Sequence, residues 1–228
     1  RMQIRPPDFE PSDGNFHVCF TGAIQPLGHE ILNIFFEAVQ VLRQQRPDIF
    51  RKLKIHFYGT SNLSLGFHNH RVRPVVQRLG LSEMVTEVPE RLSYLQSLAI
   101  QSTATVNLIM GSSARYYHAS KLYSSLFSGR PLLAICHEEA SIVKVLRQLN
   151  ISHYVTFKAV KDLESKAVKI CEELCRVLEA SVLPRPQEFS ERLESYSAFS
   201  ITRSFAGLFD DVYTRHNGHT LLAESTLD

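Results

Sequence analysis

The sequence predicts an α/β fold: a doubly wound, mostly parallel, Rossmann-like sheet of about six strands, with a C-terminal crossing helix. The first observation is the order of the segments, because strand-like and helical stretches alternate about six times along the chain. The second is the composition of the strand-like stretches, nearly all of which are short and apolar at consecutive positions. That pattern is typical of parallel strands that helices cover on both faces.

The predicted strands end at glycines or at turn signals. The first covers 16–22 and the second 53–59, and each closes on a glycine. Further strands are predicted at 84–88, 103–110, 132–136 and 154–157.

The predicted helices alternate with these strands. Apolar residues recur at spacings of three and four between 28 and 46, and Pro47 closes that helix. Gly80 ends a helix over 72–79. In a helix over 92–101, the spacing predicts that four residues face the core: Leu92, Leu95, Leu98 and Ala99. The remaining helices are predicted after Ser120 and over 140–149, 162–183, 188–195 and 199–216.

The domain organisation follows from the position of the prolines. Residues 1–15 contain three prolines and are predicted to be a linker. We expect 16–183 to form the sheet domain, 184–216 to add helices after a proline-rich break, and 217–228 to fray.

Composition excludes several classes of protein. A net charge of +2 gives no electrostatic case for nucleic acid as a partner. No stretch is long and apolar enough for a membrane span, and no signal peptide is visible. The four cysteines lack the CxxC spacing, so we interpret them as reduced packing residues in a cytoplasmic protein.

The motifs of common cofactors and nucleophiles are missing. The turn after the first strand lacks GxGxxG, and the sequence contains neither GxxxxGK[ST] nor GxSxG. His68 and His70 flank Asn69 in a polar stretch without a neighbouring acidic or cysteine ligand, so we interpret them as solvated. We therefore expect no bound cofactor and no metal.

The stretch from His118 to Pro131 contains the most informative residue, Lys121. We interpret Ser120 as the N-cap of a short helix, with Gly129 as its C-terminal stop. Lys121 is a cation in the first turn, where the helix dipole disfavours it, and no acid compensates. Either Lys121 is an ordinary solvated lysine, or this helix start binds an anion such as a phosphate.

Other candidates lie where ligands bind to open α/β sheets, beyond the carboxyl ends of the strands. Gly22 would let a ligand approach the backbone closely, or it simply forms a turn. His29 opens the first helix at the same edge, or it is a plain surface histidine. Glu138 and Glu139 open a later helix, where the dipole alone favours carboxylates.

With this order in place, the chain resembles the C-terminal Rossmann domain of GT-B glycosyltransferases, of the retaining, surface-polysaccharide (group 1) kind. The resemblance covers about 8–215. Its strongest anchors are Ser120-Lys121-Leu122-Tyr123 and the Ser128-Gly129-Arg130-Pro131 that follows. Weaker anchors are Phe20-Thr21-Gly22, Phe57-Tyr58-Gly59 and Val88-Pro89.

The resemblance implies a donor site for a nucleotide-diphosphate sugar. Lys121 would contact the diphosphate, the backbone near Val88 the base, and Gly22 with Ala23 the sugar phosphates. Ser120, Leu122, Ser124 and His29 complete the implied donor-binding set. It also implies a missing N-terminal domain, a sugar or lipid-linked acceptor, and a cytoplasmic protein with the inner face of the membrane as an alternative location.

The sequence departs from the family at two points. The family commonly has glutamate three residues after this lysine, bound to the ribose hydroxyls, where this chain has Ser124. Many members also have arginine or lysine in the loop after the first strand, where this chain reads Ala23-Ile24-Gln25-Pro26-Leu27 and His29 is the nearest replacement.

Two functions therefore compete. The first is the donor-binding half of a glycosyltransferase of polysaccharide or glycoconjugate synthesis, inactive as this chain alone. The alternative is a binding or scaffold module of the same fold that has lost donor binding and catalysis, which Ser124 favours. A sugar-nucleotide epimerase is disfavoured because no matching His/Glu/Asp constellation is visible.

Overall fold

The computed structural model describes residues 8–61, 69–180 and 187–224. The chain divides into two compact units, Arg1–Leu183 and Pro184–Asp228. The first unit contains a six-stranded sheet, in which every pair of neighbouring strands is parallel. The α/β, Rossmann-like prediction is therefore confirmed.

The strands lie close to their predicted positions. They are β1 (Phe16–Thr21), β2 (Leu53–Tyr58), β3 (Val85–Val88), β4 (Val106–Met110), β5 (Leu132–His137) and β6 (Tyr154–Phe157). Their spatial order is β3-β2-β1-β4-β5-β6, so the chain reverses its direction of growth between β1 and β4. Consecutive strands of each half are joined by helical crossovers, as parallel strands require.

The helices of the first unit are α1 (His29–Gln45), α2 (Pro47–Phe50), α3 (Arg73–Arg78), α4 (Tyr94–Thr103), α5 (Lys121–Phe127), α6 (Ser141–Gln148), α7 (Val160–Leu163) and α8 (Ala167–Glu179). A short 3-10 turn precedes α1 at Pro26–Gly28, and a second joins α7 to α8 at Glu164–Lys166. Pro47 closes α1 as predicted, and it also begins α2.

The two faces of the sheet carry different cores. Side chains of alternate strand residues point to opposite faces. Val18 and Phe20 of β1 join the main core, to which α1 and α8 contribute. Cys19 of β1 packs on the other face with Tyr58 and with Ile100 of α4. Helices thus cover the sheet on both sides.

The face under α4 contains a row of buried polar rings. Phe9 stacks on both His17 and His56, with ring centroids at 4.3 and 4.6 Å. His17 Nε2 lies 3.0 Å from the Asp13 carboxylate. Residues 8–15 therefore form an ordered segment that packs against β1 and β2.

Three predictions about helices are wrong in detail. The helix predicted over 92–101 begins at Tyr94, because Ser93 and Gln96 form a capping box there. Leu95 is exposed, and the buried side of α4 is formed by Ser97, Ile100 and Gln101. The single helix predicted over 162–183 is α7, a 3-10 turn and α8, with 181–183 outside the described residues.

The second unit contains α9 (Gln187–Glu194) and α10 (Ala198–Glu224). The helix predicted to end at 216 continues to Glu224, into the stretch expected to fray. The described part of α10 exposes several large apolar side chains, among them Phe199, Phe209 and Tyr213. Its crossing to another domain stays a prediction. No helix of the described residues is long and apolar enough to cross a bilayer.

Candidate functional site

Two cavities adjoin at the carboxyl ends of the strands, where the strand order reverses between β1 and β4. Open α/β sheets bind ligands at such a position. The larger cleft has a volume of about 480 Å³ and is lined by the ends of β1 and β2, by 91–97 and by the start of α5. The smaller cavity has a volume of about 200 Å³ and lies between the ends of β1 and β4. The two share Thr21, Gly22, Ala23, Ser120 and Lys121.

Gly22 supplies room at the junction of the cavities. Its φ of +149° is a conformation that favours glycine. A β-carbon at Gly22 would lie 3.9 Å from Lys121 Cγ, so the lysine stem passes directly over this residue. The Gly22 N–H donates to the Tyr58 carbonyl (2.8 Å) and is already used within the sheet. Gly22 therefore provides space for a ligand and no free amide.

Lys121 places its ammonium between the cavities. Lys121 Nζ lies 3.5 Å from the Ser97 hydroxyl, and it forms no ion pair within the described parts of the chain. Arg91, on the larger cleft, likewise has no carboxylate partner among the described residues. None of the described residues that line either cavity is aspartate or glutamate. The site is consequently cationic, in a chain with a net charge of only +2.

Two buried hydroxyls add donors to the larger cleft. Thr21 and Ser97 are 6% and 4% exposed. The Thr21 oxygen accepts from Gln101 Nε2 (2.7 Å), and the Ser97 oxygen faces the Lys121 ammonium. Neither hydroxyl hydrogen has an acceptor within the described segments. Because buried hydroxyls find acceptors, a ligand rich in oxygen acceptors suits this wall.

The structure brings together half of the predicted donor-binding residues. Gly22, Ala23, Ser120 and Lys121 line both cavities. The others, which line neither cavity, are His29, Val88, Leu122 and Ser124.

These four residues lie at different positions in the fold, outside the cavity walls. The Leu122 side chain is fully buried in the core. The Ser124 hydroxyl donates to the Lys121 carbonyl (3.1 Å). The Val88 carbonyl accepts from the Gly59 N–H (2.8 Å), which continues the pairing of β2 and β3. His29 begins α1 outside both linings.

The predicted N-cap role of Ser120 is wrong. Ser120 precedes α5 as expected, but its dihedral angles are helical and its hydroxyl bonds no amide of the helix. The Leu122 N–H donates instead to the Ala119 carbonyl (3.0 Å). With only seven residues in α5, the case for an anion rests on the Lys121 side chain and not on the helix start.

Sequence reasoning missed the wall formed by 91–97. Arg91, Leu92, Tyr94 and Ser97 line the larger cleft, and the Tyr94 ring is 67% exposed. The family resemblance placed the contact with the base near Val88, three residues before this wall begins. The capping box at Ser93 was readable in the sequence and is the signal that places this connection at the cleft.

The interpretation of His70 as solvated is also wrong. His70 Nδ1 lies 3.2 Å from the Glu87 carboxylate, which accepts further bonds from Thr60 Oγ1 and from the amides of Arg71, Val72 and Arg73. His68 lies outside the described residues. No group of three or more metal-ligating side chains occurs in the described part of the chain.

The cysteines are unsuited to nucleophilic chemistry. All four are free thiols. Burial raises the pKa of Cys136 and of Cys171 to about 12, and it raises the pKa of Cys19 and Cys175 as well. The thiolate is the reactive form, so these side chains stay inert near neutral pH.

Comparison with solved structures finds a similar fold in trehalose-phosphate synthases. No family model and no curated protein matches the sequence. Among solved structures, a Burkholderia vietnamiensis α,α-trehalose-phosphate synthase (UDP-forming) is 11% identical with a TM-score of 0.60, over 90% of this chain and 45% of that one. An E. coli structure from the same group of matches, bound with UDP-2-fluoro glucose, is 12% identical with a TM-score of 0.56, over 79% and 40%.

A third similar structure has a different name. The N-terminal domain of Candida albicans trehalose-6-phosphate phosphatase is 14% identical with a TM-score of 0.59, over 85% of this chain and 41% of that one. This chain therefore spans less than half the length of the structures it matches. Trehalose-phosphate synthases are GT-B glycosyltransferases, so the likeness supports the GT-B-type fold, though not the surface-polysaccharide group. At such identities it concerns the fold alone.

Proposed function

We propose that this chain is the donor-binding half of a glycosyltransferase and that it binds a nucleotide-diphosphate sugar at the two adjoining cavities. The observation that carries the proposal is the Lys121 ammonium at the strand reversal, without a carboxylate partner in the described chain and beside Gly22. A diphosphate supplies the negative charge and the oxygen acceptors that this wall lacks.

Only part of the transfer reaction is assigned to this chain. In the transfer of a sugar, an acceptor hydroxyl gives up its proton and forms a bond to the anomeric carbon, while the bond from that carbon to the diphosphate breaks and negative charge develops on the leaving oxygens. Lys121 stabilises this charge electrostatically, and no protein nucleophile is required. The acceptor, a saccharide or lipid-linked group, and the rest of the catalytic machinery belong to a second domain. We expect this chain alone to bind donor without turnover.

The comparisons support the same proposal at the level of the fold. Similar structures include UDP-forming transferases, and one of them contains a UDP-sugar analogue. A role in cytoplasmic polysaccharide or glycoconjugate synthesis remains part of the proposal, as does the absence of a metal or other cofactor.

A titration tests the proposal directly. We expect calorimetry to show binding of UDP, GDP or dTDP, or of one of their sugar esters, at millimolar concentration or below. Lys121→Ala should weaken that binding about tenfold or more, because a charge-assisted hydrogen bond is lost, and it should leave the melting temperature nearly unchanged. Lys144→Ala removes an exposed lysine on α6 and is the matched control.

The second candidate is a binding or scaffold module without donor affinity. Ser124, in place of the expected carboxylate, favours it, and so does the occurrence of a similar fold in a protein named a phosphatase. Absence of binding by every nucleotide sugar tested would select this candidate.

A further inference from the structure

The smaller cavity differs in chemistry from the larger cleft. Its walls include the apolar residues Phe20 and Met110, which are 7% and 5% exposed. Its own polar side chains, Gln25 and Tyr117, are neutral, and burial raises the pKa of Tyr117 further. None of the described residues that line it is a carboxylate. Lys121, at the junction with the larger cleft, is the only charged side chain among the described residues that line it.

The position of the cavity identifies which part of a donor enters it. If the diphosphate lies at Lys121 and Gly22, the nucleoside and the sugar must extend to opposite sides of that point. The larger cleft has the volume and the exposed Tyr94 ring that a nucleoside needs. The smaller cavity is left for the sugar, and its volume of about 200 Å³ is of monosaccharide size.

We infer that the smaller cavity selects a sugar in which a hydroxyl is replaced by hydrogen, as in a 6-deoxyhexose. This inference rests on the proposed function. A fully hydroxylated hexose brings hydrogen-bond donors on every side, and carboxylates are the strongest acceptors for them. Beside Phe20 and Met110, a hydroxyl loses water without gaining such an acceptor, which disfavours its burial. A methyl group at the same carbon gains contact with those residues instead.

The expected preference is moderate. An apolar pocket rejects a ligand that only adds a hydroxyl by no more than about a hundredfold. The neutral side chains of Gln25 and Tyr117 lower the preference further, because each offers one neutral partner. We expect the 6-deoxyglucosyl ester to bind about tenfold more tightly than the glucosyl ester of the same nucleotide.

A matched pair of ligands tests the inference in two stages. Calorimetry with UDP, GDP and dTDP first identifies the base, and the glucosyl and 6-deoxyglucosyl esters of that nucleotide are then compared. If no nucleotide or ester binds, the proposed function fails. If they bind but glucose is equal or preferred, the inference alone is overturned. A preference of about tenfold for the 6-deoxy ester supports it.

Gln25→Glu provides the second readout. Gln25 is an exposed loop residue after β1, so its replacement leaves the core intact. A carboxylate there supplies the missing acceptor, and the ratio of the two affinities should fall from about ten toward one. Because the added charge repels the diphosphate of both esters equally, the ratio reports the sugar cavity alone. An unchanged ratio in Gln25→Glu, with a preference present in the parent chain, would place the selective contact elsewhere and contradict the inference.

Discussion

His56 Nε2 lies 3.0 Å from His17 Nδ1 on the buried face between β1 and β2. The bond fixes both tautomers. The Asp13 carboxylate accepts from His17 Nε2–H (3.0 Å), so His17 Nδ1 is the acceptor for His56 Nε2–H. His56 Nδ1 is then a buried nitrogen without a hydrogen, and it has no partner in the described structure.

This arrangement predicts a pH-dependent stability. Burial, with a smaller electrostatic effect of the neighbouring His17, lowers the pKa of His56 from 6.5 to about 4. The unfolded chain therefore binds more protons than the folded chain between these values, and stability falls as the pH decreases from about 6.5 to about 4. The largest loss from this group is about 3 kcal/mol.

Urea unfolding at pH 7 and pH 4.5 measures the loss. His56→Phe should flatten the dependence, because the titrating group is removed. His118→Gln changes an exposed histidine and should leave the slope intact. Equal slopes in the parent chain and His56→Phe would show that the acid sensitivity has another source.

Gly22→Ala should lower both stability and nucleotide affinity. Its φ of +149° costs a residue with a β-carbon about 1–3 kcal/mol, and any backbone shift moves the lysine stem above it. Gly14→Ala is the control, because Gly14 also has a positive φ (+82°) but lies outside both cavities. Loss of nucleotide affinity in both variants would mean that the effect is global.

Ser124→Glu tests the departure from the family pattern. A glutamate at this position of α5 would provide the carboxylate expected for the ribose hydroxyls. We expect nucleoside diphosphates to bind about tenfold more tightly, with pyrophosphate unchanged, because only the nucleotide has a ribose. Ser124→Ala is the control and should change neither affinity. Weaker binding of both ligands to Ser124→Glu would indicate that the new carboxylate pairs with Lys121.

Glu87→Gln should destabilise the fold without touching the cavities. Burial raises the pKa of Glu87, but hydrogen bonds from Thr60 and from the amides of Arg73, Val72 and Arg71 outweigh it, and the net pKa is lowered. A glutamine keeps one acceptor oxygen, but its NH2 group faces the donors of the other carboxylate oxygen, which should cost about 2–3 kcal/mol of unfolding free energy. Chemical denaturation measures this, with the exposed Glu37→Gln as control. A loss equal to that of the control would show that these bonds contribute little.

The order of the elements could be predicted because local signals fix it. Apolar runs marked most of the strands, and Gly80 and Gly129, both with positive φ, ended helices where expected. Gly22 and Lys121, at the junction of the cavities, could also be predicted. A glycine at the end of a strand and a cation without a neighbouring acid can each be recognised from the local sequence alone.

The remainder depends on contacts between distant residues. His17 and His56 are separated by 39 positions, and each alone is only a polar residue in an apolar strand. Glu87 resembles an exposed strand residue until the segment 71–73 is folded against it. The walls of the cavities combine residues from β1, α4 and α5, which no local pattern relates.

The Glu87 carboxylate also affects the hydrogen exchange of the amides that it binds. It accepts from the amides of Arg71, Val72 and Arg73 at 2.7, 3.1 and 2.9 Å, although these residues precede or only begin α3. Amides at a helix start have no intrahelical partner and normally exchange with solvent rapidly. Here their exchange requires the hydrogen bonds to the Glu87 carboxylate to break. The three amides should therefore exchange together with β3 rather than with the loop beside them.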